Sequence, residues 1–352
     1  MSKEENIKIF LDTCKQIEND KILAESTARA KAATVMLPEG YAVEYEGAPK
    51  YETPCKVVVS GKSTFEAARS YTGHVGVLNF ASATNPGGGV LKGSSAQEEA
   101  LCRCSNLYQC LEQPKFMDAF YTPHRTTGNA LHNDDIIYTP SVAVIKNDAG
   151  QNLFRPSYVD VITCAAPNLR ETPSNAYNHE NGEGVKIGIM DLFKLHRKRA
   201  NAILFTAMNA GIEHFITGAF GCGAFKNSPA VVASAFRQII DNLESYNGVG
   251  VNKVVFAIKK SRGEDRICPN LQAFMNEFYA ASSAVLRSSD EDVENIGARS
   301  ESGWTNNYIM PDGTELNSMN ERMVFGRLSS FPRRSKFLCF SRYQAVREES
   351  PA

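Results

Sequence analysis

The 352-residue sequence is long enough for one large globular domain with appendages or for two smaller domains. Its formal net charge of −1 excludes a general attraction to nucleic acid or anionic membranes, so we expect any polyanionic ligand to be held by a local site. No apolar run approaches the roughly 20 residues that span a bilayer, and the N-terminus lacks a signal-peptide pattern. These features predict a cytoplasmic protein, or a nuclear one in a eukaryotic source.

The first predicted elements are helical. Residues 3–36 show helical spacing of apolar side chains, and a break at Asn19-Asp20 predicts two helices. The apolar positions of the first helix are Ile7, Phe10, Leu11, Cys14 and Ile17.

A short predicted strand at 55–60 leads into Gly61-Lys62-Ser63, which resembles the end of a phosphate-binding P-loop. That motif requires a glycine where this chain has Lys56, so we reject a P-loop. We expect an ordinary strand, turn and helix, with Ser63 or Thr64 capping the helix.

Residues 76–107 form the central motif of the chain. A buried strand at 77–80 is followed by three consecutive glycines, Gly87 to Gly89, whose N–H groups can approach a ligand closely because no Cβ intervenes. A helix with Gln97, Glu98 and Glu99 in its first turn follows, and continues to about residue 113. A helix N-terminus adds unpaired N–H donors and a positive dipole end. This stretch therefore predicts phosphate binding and acid–base chemistry in one place.

The nine cysteines and six histidines predict neither disulfides nor a metal site. The odd number of cysteines and the absence of CxxC spacing favour free, buried thiols. Cys102 and Cys104 point about 200° apart on their helix, so they cannot bind one metal ion together. No zinc-type histidine spacing is present. We expect no metal and no cofactor.

The second half of the chain alternates strands and helices. Strands are predicted at 142–146, 158–165, 215–220 and 254–258, and helices at 185–210 and 269–286. The basic run His196 to Arg199 has two interpretations, contact with ligand phosphates or a solvated helix face, of which we favour the second.

A second glycine-containing loop, GAFGCGAFKNSP, spans 218–229. Gly221-Cys222-Gly223 offers exposed N–H groups, and Pro229 is well placed to begin a helix. Two such loops, each following a strand and leading into a helix, predict a binding crevice across an open α/β sheet.

The motif TNPGGG, then seven residues, then QEE, followed by Arg103, Ser105 and Leu107-Tyr108, resembles the signature of the bacterial-type poly(ADP-ribose) glycohydrolases, a branch of the macrodomain superfamily. The second loop is similar to the diphosphate loop GCGVFxNxP of that family, with Ala224 in place of the usual valine. The resemblance implies a macrodomain-like three-layer α/β/α fold with a mixed sheet and an N-terminal helical extension. It also implies hydrolysis of ribose–ribose bonds in poly(ADP-ribose), mainly from the chain end, releasing ADP-ribose.

Glycoside hydrolysis requires a proton for the leaving oxygen, which a carboxyl group can supply. Glu98 and Glu99 are consecutive helix residues that point about 100° apart, so they cannot form a pair facing each other across one bond. By resemblance, Glu99 is the general acid that then activates water, while Glu98 holds a ribose hydroxyl. Asn85 orients the terminal ribose, and Gln97 assists placement.

The resemblance also implies a set of substrate-binding residues. For Phe225, ligand stacking is favoured over plain core packing. The full set is Asn85, Gly87, Gly88, Gly89, Gln97, Asn168, Gly221, Cys222, Gly223, Ala224 and Phe225.

We divide the chain into an N-terminal helical extension (1–54), a catalytic core (55–286) and an acidic linker with a C-terminal appendage of unknown role (287–352). The expected partners are poly(ADP-ribose) or ADP-ribosylated macromolecules, and we expect a monomer. Two other functions stay open: hydrolysis of mono-ADP-ribose from protein or nucleic acid, and ADP-ribose binding without catalysis.

Overall fold

The computed structural model describes residues 1–41, 51, 54–171, 184–244, 250–259 and 268–279, together with two short strands, Tyr308–Ile309 and Glu315–Leu316, that pair antiparallel. Residues 172–183 and most of the predicted appendage lie outside the described residues. None of the described helices is long and apolar enough to cross a bilayer.

The N-terminal region forms two helices, α1 (Lys3–Asn19) and α2 (Lys21–Ala33), as predicted. Asp20 separates them because its side chain accepts hydrogen bonds from the first N–H groups of α2. The helical prediction for the last residues up to 36 was wrong. Val35–Leu37 is strand β1, which pairs antiparallel with a central part of the chain and places the N-terminal region on the main sheet.

The buried face of α1 also differs from the prediction. Its buried residues are Asn6, Phe10, Thr13 and Ile17, whereas Leu11 is 57% exposed. The polar residues Asn6 and Thr13 are therefore buried, whereas the apolar spacing predicted that adjacent residues of the helix would be buried instead.

Seven strands form one mixed sheet in the order β1-β4-β5-β3-β6-β7-β2. The remaining strands are β2 (Lys56–Ser60), β3 (Val75–Ala81), β4 (Ile136–Lys146), β5 (Asn152–Ala165), β6 (His214–Thr217) and β7 (Lys253–Ala257). The five strands from β5 to β2 are parallel, and β1 and β4 run antiparallel to their neighbours. The predicted mixed sheet is confirmed.

The remaining helices are α3 (Thr64–Ala68), α4 (Gln97–Cys104), α5 (Leu107–Leu111), α6 (Pro114–Phe116), α7 (Thr122–Thr127), α8 (Ile189–Asn209), α9 (Pro229–Glu244) and α10 (Pro269–Tyr279). A capping box at Ser63 begins α3, as expected for an ordinary turn and helix. The long helix predicted to residue 113 is interrupted at Ser105, which has extended backbone angles. The predicted end of α10 lies outside the described residues.

Helices cover both faces of the sheet. Adjacent β3 residues point to opposite sides: Leu78 belongs to the core beneath α8, α9 and α10, and Val77 to the core beneath α1, α3, α4 and α5. The fold is therefore three-layered, as predicted. Because β3 and β6 are parallel neighbours, the two glycine loops that follow them emerge side by side at one sheet edge.

Candidate active site

Gln97 fixes the start of α4 against strand β3. Its Oε1 accepts a hydrogen bond from Phe80 N at 2.9 Å, and its Nε2 donates to Leu78 O at 2.8 Å and to Thr64 Oγ1 at 3.1 Å. The amide side chain thus satisfies main-chain groups of β3 and determines where the next two helix residues lie.

Glu98 is buried, with 2% of its surface exposed, and N–H donors hold it. Ser82 N donates to its Oε2 at 2.7 Å, and Asn79 Nδ2 to its Oε1 at 3.3 Å. Burial, followed by the charge of Glu99, raises the pKa of Glu98 well above its usual range. Glu98 is therefore a buried group that is held in place through both oxygens.

Glu99 is held through only one of its oxygens. Its Oε1 accepts a hydrogen bond from Gly89 N at 2.8 Å. Its Oε2 is buried and has no hydrogen-bond partner among the described residues. A buried carboxyl oxygen without a partner is costly, and such groups occur where function requires them.

The first glycine loop wraps closely around these carboxylates. Gly88 has a φ of +59°, and a Cβ there would lie 2.7 Å from Glu99 Oε1 and 2.9 Å from Glu98 Oε2. Only glycine accommodates both the backbone conformation and the approach.

Two of the three glycine N–H groups of this loop are already engaged. Gly88 N donates to Asn85 O at 2.9 Å, and Gly89 N donates to Glu99. These two groups are therefore not directed at a ligand phosphate in this arrangement. Gly89 N holds the protein's own carboxylate, a use that the spacing of the motif does not reveal.

Asn85 lies at the start of this loop and is oriented by a residue that the sequence analysis missed. Arg125, on α7, donates from Nη2 to Asn85 Oδ1 at 3.2 Å and from Nε to Thr84 O at 2.6 Å. Arg125 lies between the predicted helix that ends near residue 113 and the predicted strand at 142–146, and no motif marks it.

The second glycine loop is built around Asn227. Its Nδ2 donates to Pro167 O at 2.7 Å and to Gly221 O at 3.0 Å, and its Oδ1 lies 2.8 Å from His196 Nε2. Gly221 has a φ of +75°, and a Cβ there would lie 2.6 Å from Asn227 Nδ2. From the sequence, Asn227 had no assigned role, and His196 was interpreted only as part of the basic run.

In contrast to the first loop, the second has unused donors. The N–H groups of Gly223, Ala224 and Phe225 donate no hydrogen bond to any described residue. A Cβ at Gly223 would meet nothing within 4 Å, so this side of the loop is open. Successive free backbone N–H groups on an open loop form an anion-binding surface.

The other predicted residues of this region occupy different positions. Phe225 is half-buried at the edge of the core, with its ring centroid 6.3 Å from that of His132. The thiol of Cys222 has a raised pKa because it is buried. Asn168 is fully buried; its main-chain N–H donates to Ala130 O, and its Nδ2 has no hydrogen-bond partner among the described residues.

The preferred interpretation of the basic run as a solvated helix face was wrong for two of its four residues. His196 and Arg199 are completely buried, because they lie on the face of α8 that packs on the sheet. Arg199 pairs with Asp134 at 3.0 Å. Lys198 is exposed and pairs with Glu39 and Asp134.

Burial lowers the pKa of His196 to about 3, against the effect of its Asn227 hydrogen bond. The neutral ring cannot take up the proton that the unfolded chain binds below a pKa of 6.5, so stability falls as pH falls through this window. We expect this group alone to cost about 2 kcal/mol of unfolding free energy between pH 6.5 and 5. Urea unfolding of wild type and His196→Gln, which keeps a donor but cannot titrate, should show a smaller pH slope in the variant. Equal slopes would refute this.

Within the described residues, no group of three or more His, Cys, Asp or Glu side chains is arranged to hold a metal ion. The eight described cysteines are free.

Comparisons with known proteins find similar sequences and structures. A family model for the catalytic domain of microbial-type poly(ADP-ribose) glycohydrolases matches residues 7–147. The solved structure of poly(ADP-ribose) glycohydrolase from Thermomonospora curvata is 28% identical, covers 78% of this chain and all of its own, and has a TM-score of 0.65. The ADP-ribose complex of the Deinococcus radiodurans enzyme is 31% identical, covers 72% of this chain and 98% of its own, with a TM-score of 0.59. No curated protein matches the chain.

Proposed function

Because the chain belongs to the family of microbial-type poly(ADP-ribose) glycohydrolases, we propose that it hydrolyses the ribose–ribose O-glycosidic bonds of poly(ADP-ribose) and releases ADP-ribose. The observation that carries this proposal is the asymmetric setting of Glu99. One carboxyl oxygen is held by Gly89 N, and the other is without a partner among the described residues, beside a second buried carboxyl group.

In this proposal Glu99 acts twice. Its protonated carboxyl donates a proton to the leaving ribose oxygen while the glycosidic bond breaks and an oxocarbenium-like centre develops. The resulting carboxylate then removes a proton from water, whose oxygen bonds to that centre, and Glu99 is protonated again. Because the hydrogen bond from Gly89 N is made to Oε1, Oε2 remains available for both proton transfers.

The neighbouring residues bind the terminal unit. Glu98, fixed by Ser82 N and Asn79, holds ribose hydroxyls. Asn85, oriented by Arg125, contacts the terminal ribose. With a net charge of only −1, the chain offers no broad attraction to a polyanion, so the diphosphate is held locally by the free N–H groups from Gly223 to Phe225.

The position of Phe225 favours cleavage at the chain end. Its ring sits at the edge of the core on the loop proposed to hold the diphosphate, where it can pack against the terminal ribose. That contact leaves little room for another ADP-ribose unit beyond this ribose. We therefore expect single ADP-ribose units as the dominant early product.

The experiment follows the products released from a poly(ADP-ribosylated) acceptor protein and from the same acceptor carrying single ADP-ribose units. We expect early release of ADP-ribose, with the protein-linked unit left in place because its bond is not ribose-to-ribose. Early release of long oligomers would contradict the end-directed mode. Removal of the protein-linked unit would instead indicate a mono-ADP-ribosyl hydrolase. Binding of the modified acceptor without release of ADP-ribose would indicate a protein that binds ADP-ribose without catalysis.

A further inference from the structure

Helix α1 places a polar residue, Asn6, in its buried face. Asn6 is 2% exposed; its Nδ2 donates to Gly93 O at 2.9 Å, whereas its Oδ1 has no partner among the described residues. An unsatisfied buried amide oxygen costs about 1–3 kcal/mol. An aliphatic side chain would avoid that cost, so packing alone does not account for an asparagine here.

The acceptor of this hydrogen bond, Gly93 O, lies in the turn that follows the first glycine loop. Gly93 N donates to Val90 O at 3.1 Å, and Ser94 N donates to Gly89 O, also at 3.1 Å. Gly93 has a φ of +73°, and a Cβ there would lie 2.3 Å from Lys3 O. The first turn of α1 therefore rests directly on this segment.

A second side chain holds the next carbonyl. Arg103, 4% exposed and one helical turn after Glu99 on α4, donates from Nη1 to Ser94 O at 2.6 Å. The adjacent carbonyl groups of Gly93 and Ser94 thus accept hydrogen bonds from side chains of two different helices, α1 and α4. Residue Leu91, between the glycine loop and these anchors, is 60% exposed, so this part of the segment has little packing of its own.

Gly89 connects residues 89–94 to the proposed catalytic acid. Its carbonyl accepts a hydrogen bond from Ser94 N, and its N–H donates to Glu99. We propose that Asn6 and Arg103 are positioning residues for Glu99, which act by fixing residues 89–94. Helix α1 then belongs to the catalytic machinery although it does not touch the substrate. This inference rests on the proposed function.

The test compares Asn6→Leu and Arg103→Met with Thr27→Val. Thr27 is a buried residue of α2 whose hydroxyl accepts from Asn106 Nδ2 at 2.9 Å, so its variant perturbs the docking of the N-terminal helices but does not reach residues 89–94. We expect kcat on poly(ADP-ribose) to fall by about 10-fold or more in the first two variants, since misplacement of a catalytic group is costly. The Kd for ADP-ribose should stay within about twofold, because the diphosphate binds the other loop. Thr27→Val should keep the wild-type kcat.

A second readout does not depend on activity. Amide hydrogen exchange of a peptide covering residues 86–94 should be faster in Asn6→Leu than in wild type, and unchanged in Thr27→Val. Unchanged kcat and exchange in Asn6→Leu would overturn the inference. Equal losses in Asn6→Leu and Thr27→Val would also overturn it, by showing a general docking effect. An inactive wild type would instead refute the proposed function, and the exchange data would still test the anchoring.

Discussion

Glu99→Gln is expected to lower turnover of poly(ADP-ribose) by about 10²–10⁴-fold, the range that general acid–base catalysis contributes. Glutamine keeps the volume of the side chain, and its carbonyl oxygen can still accept from Gly89 N. The amide, however, cannot donate a proton to the leaving oxygen or remove one from water. Release of ADP-ribose measures turnover, and calorimetric titration with ADP-ribose should show that binding persists.

Glu98→Gln is the matched control for that result. Glutamine keeps the volume of this side chain too, and its carbonyl oxygen can still accept one of the two hydrogen bonds, from Ser82 N or from Asn79 Nδ2. We expect a clearly smaller loss than for Glu99→Gln. Full activity in Glu99→Gln would remove Glu99 from the acid–base role.

Gly88→Ala is expected to lower kcat by about 10²-fold, since displacement of a catalytic group by about 1 Å can cost that much. The new methyl group would lie under 3 Å from one oxygen of each carboxylate, and the backbone conformation at φ +59° is unfavourable for alanine. Both carboxyl groups must then shift. Initial rates and a thermal melt would separate displacement from unfolding.

Gly188→Ala provides the comparison, because a Cβ there lies 3.9 Å from its nearest neighbour, Asp191 Oδ2, which is ordinary contact. It should retain wild-type kcat. A Gly88→Ala variant with wild-type kcat would show that the loop does not set the carboxylate positions.

The sequence was sufficient to predict those features that depend on local patterns. The helix break at Asp20, the strand before each glycine loop and the helix beginning at Pro229 all follow from nearby residues, and the structure has them. The adjacency of the two loops follows from parallel strands, because their carboxyl ends share an edge.

Other features of the site depend on distant pairings that no local pattern encodes. Asn6 and Gly93 are 87 positions apart, and His196 and Asn227 are 31 apart. The apolar spacing of α1 predicted burial of residues next to Asn6 and not of Asn6 itself. The charge of the basic run indicated an exposed helix face, although His196 is buried. The hydrogen-bond acceptors of the N–H groups from Gly87 to Gly89 could not be predicted either. A run of glycines indicates that another group approaches the backbone closely, but not whether that group belongs to a ligand or to the protein.

The most direct test of the central claim is incubation of the full chain with purified, protein-free poly(ADP-ribose), with free ADP-ribose quantified over time beside Glu99→Gln from a parallel preparation. The account predicts accumulation of ADP-ribose from the earliest time points with wild type and almost none with the variant, although both bind ADP-ribose. Wild-type protein that binds ADP-ribose but releases none from the polymer would contradict it.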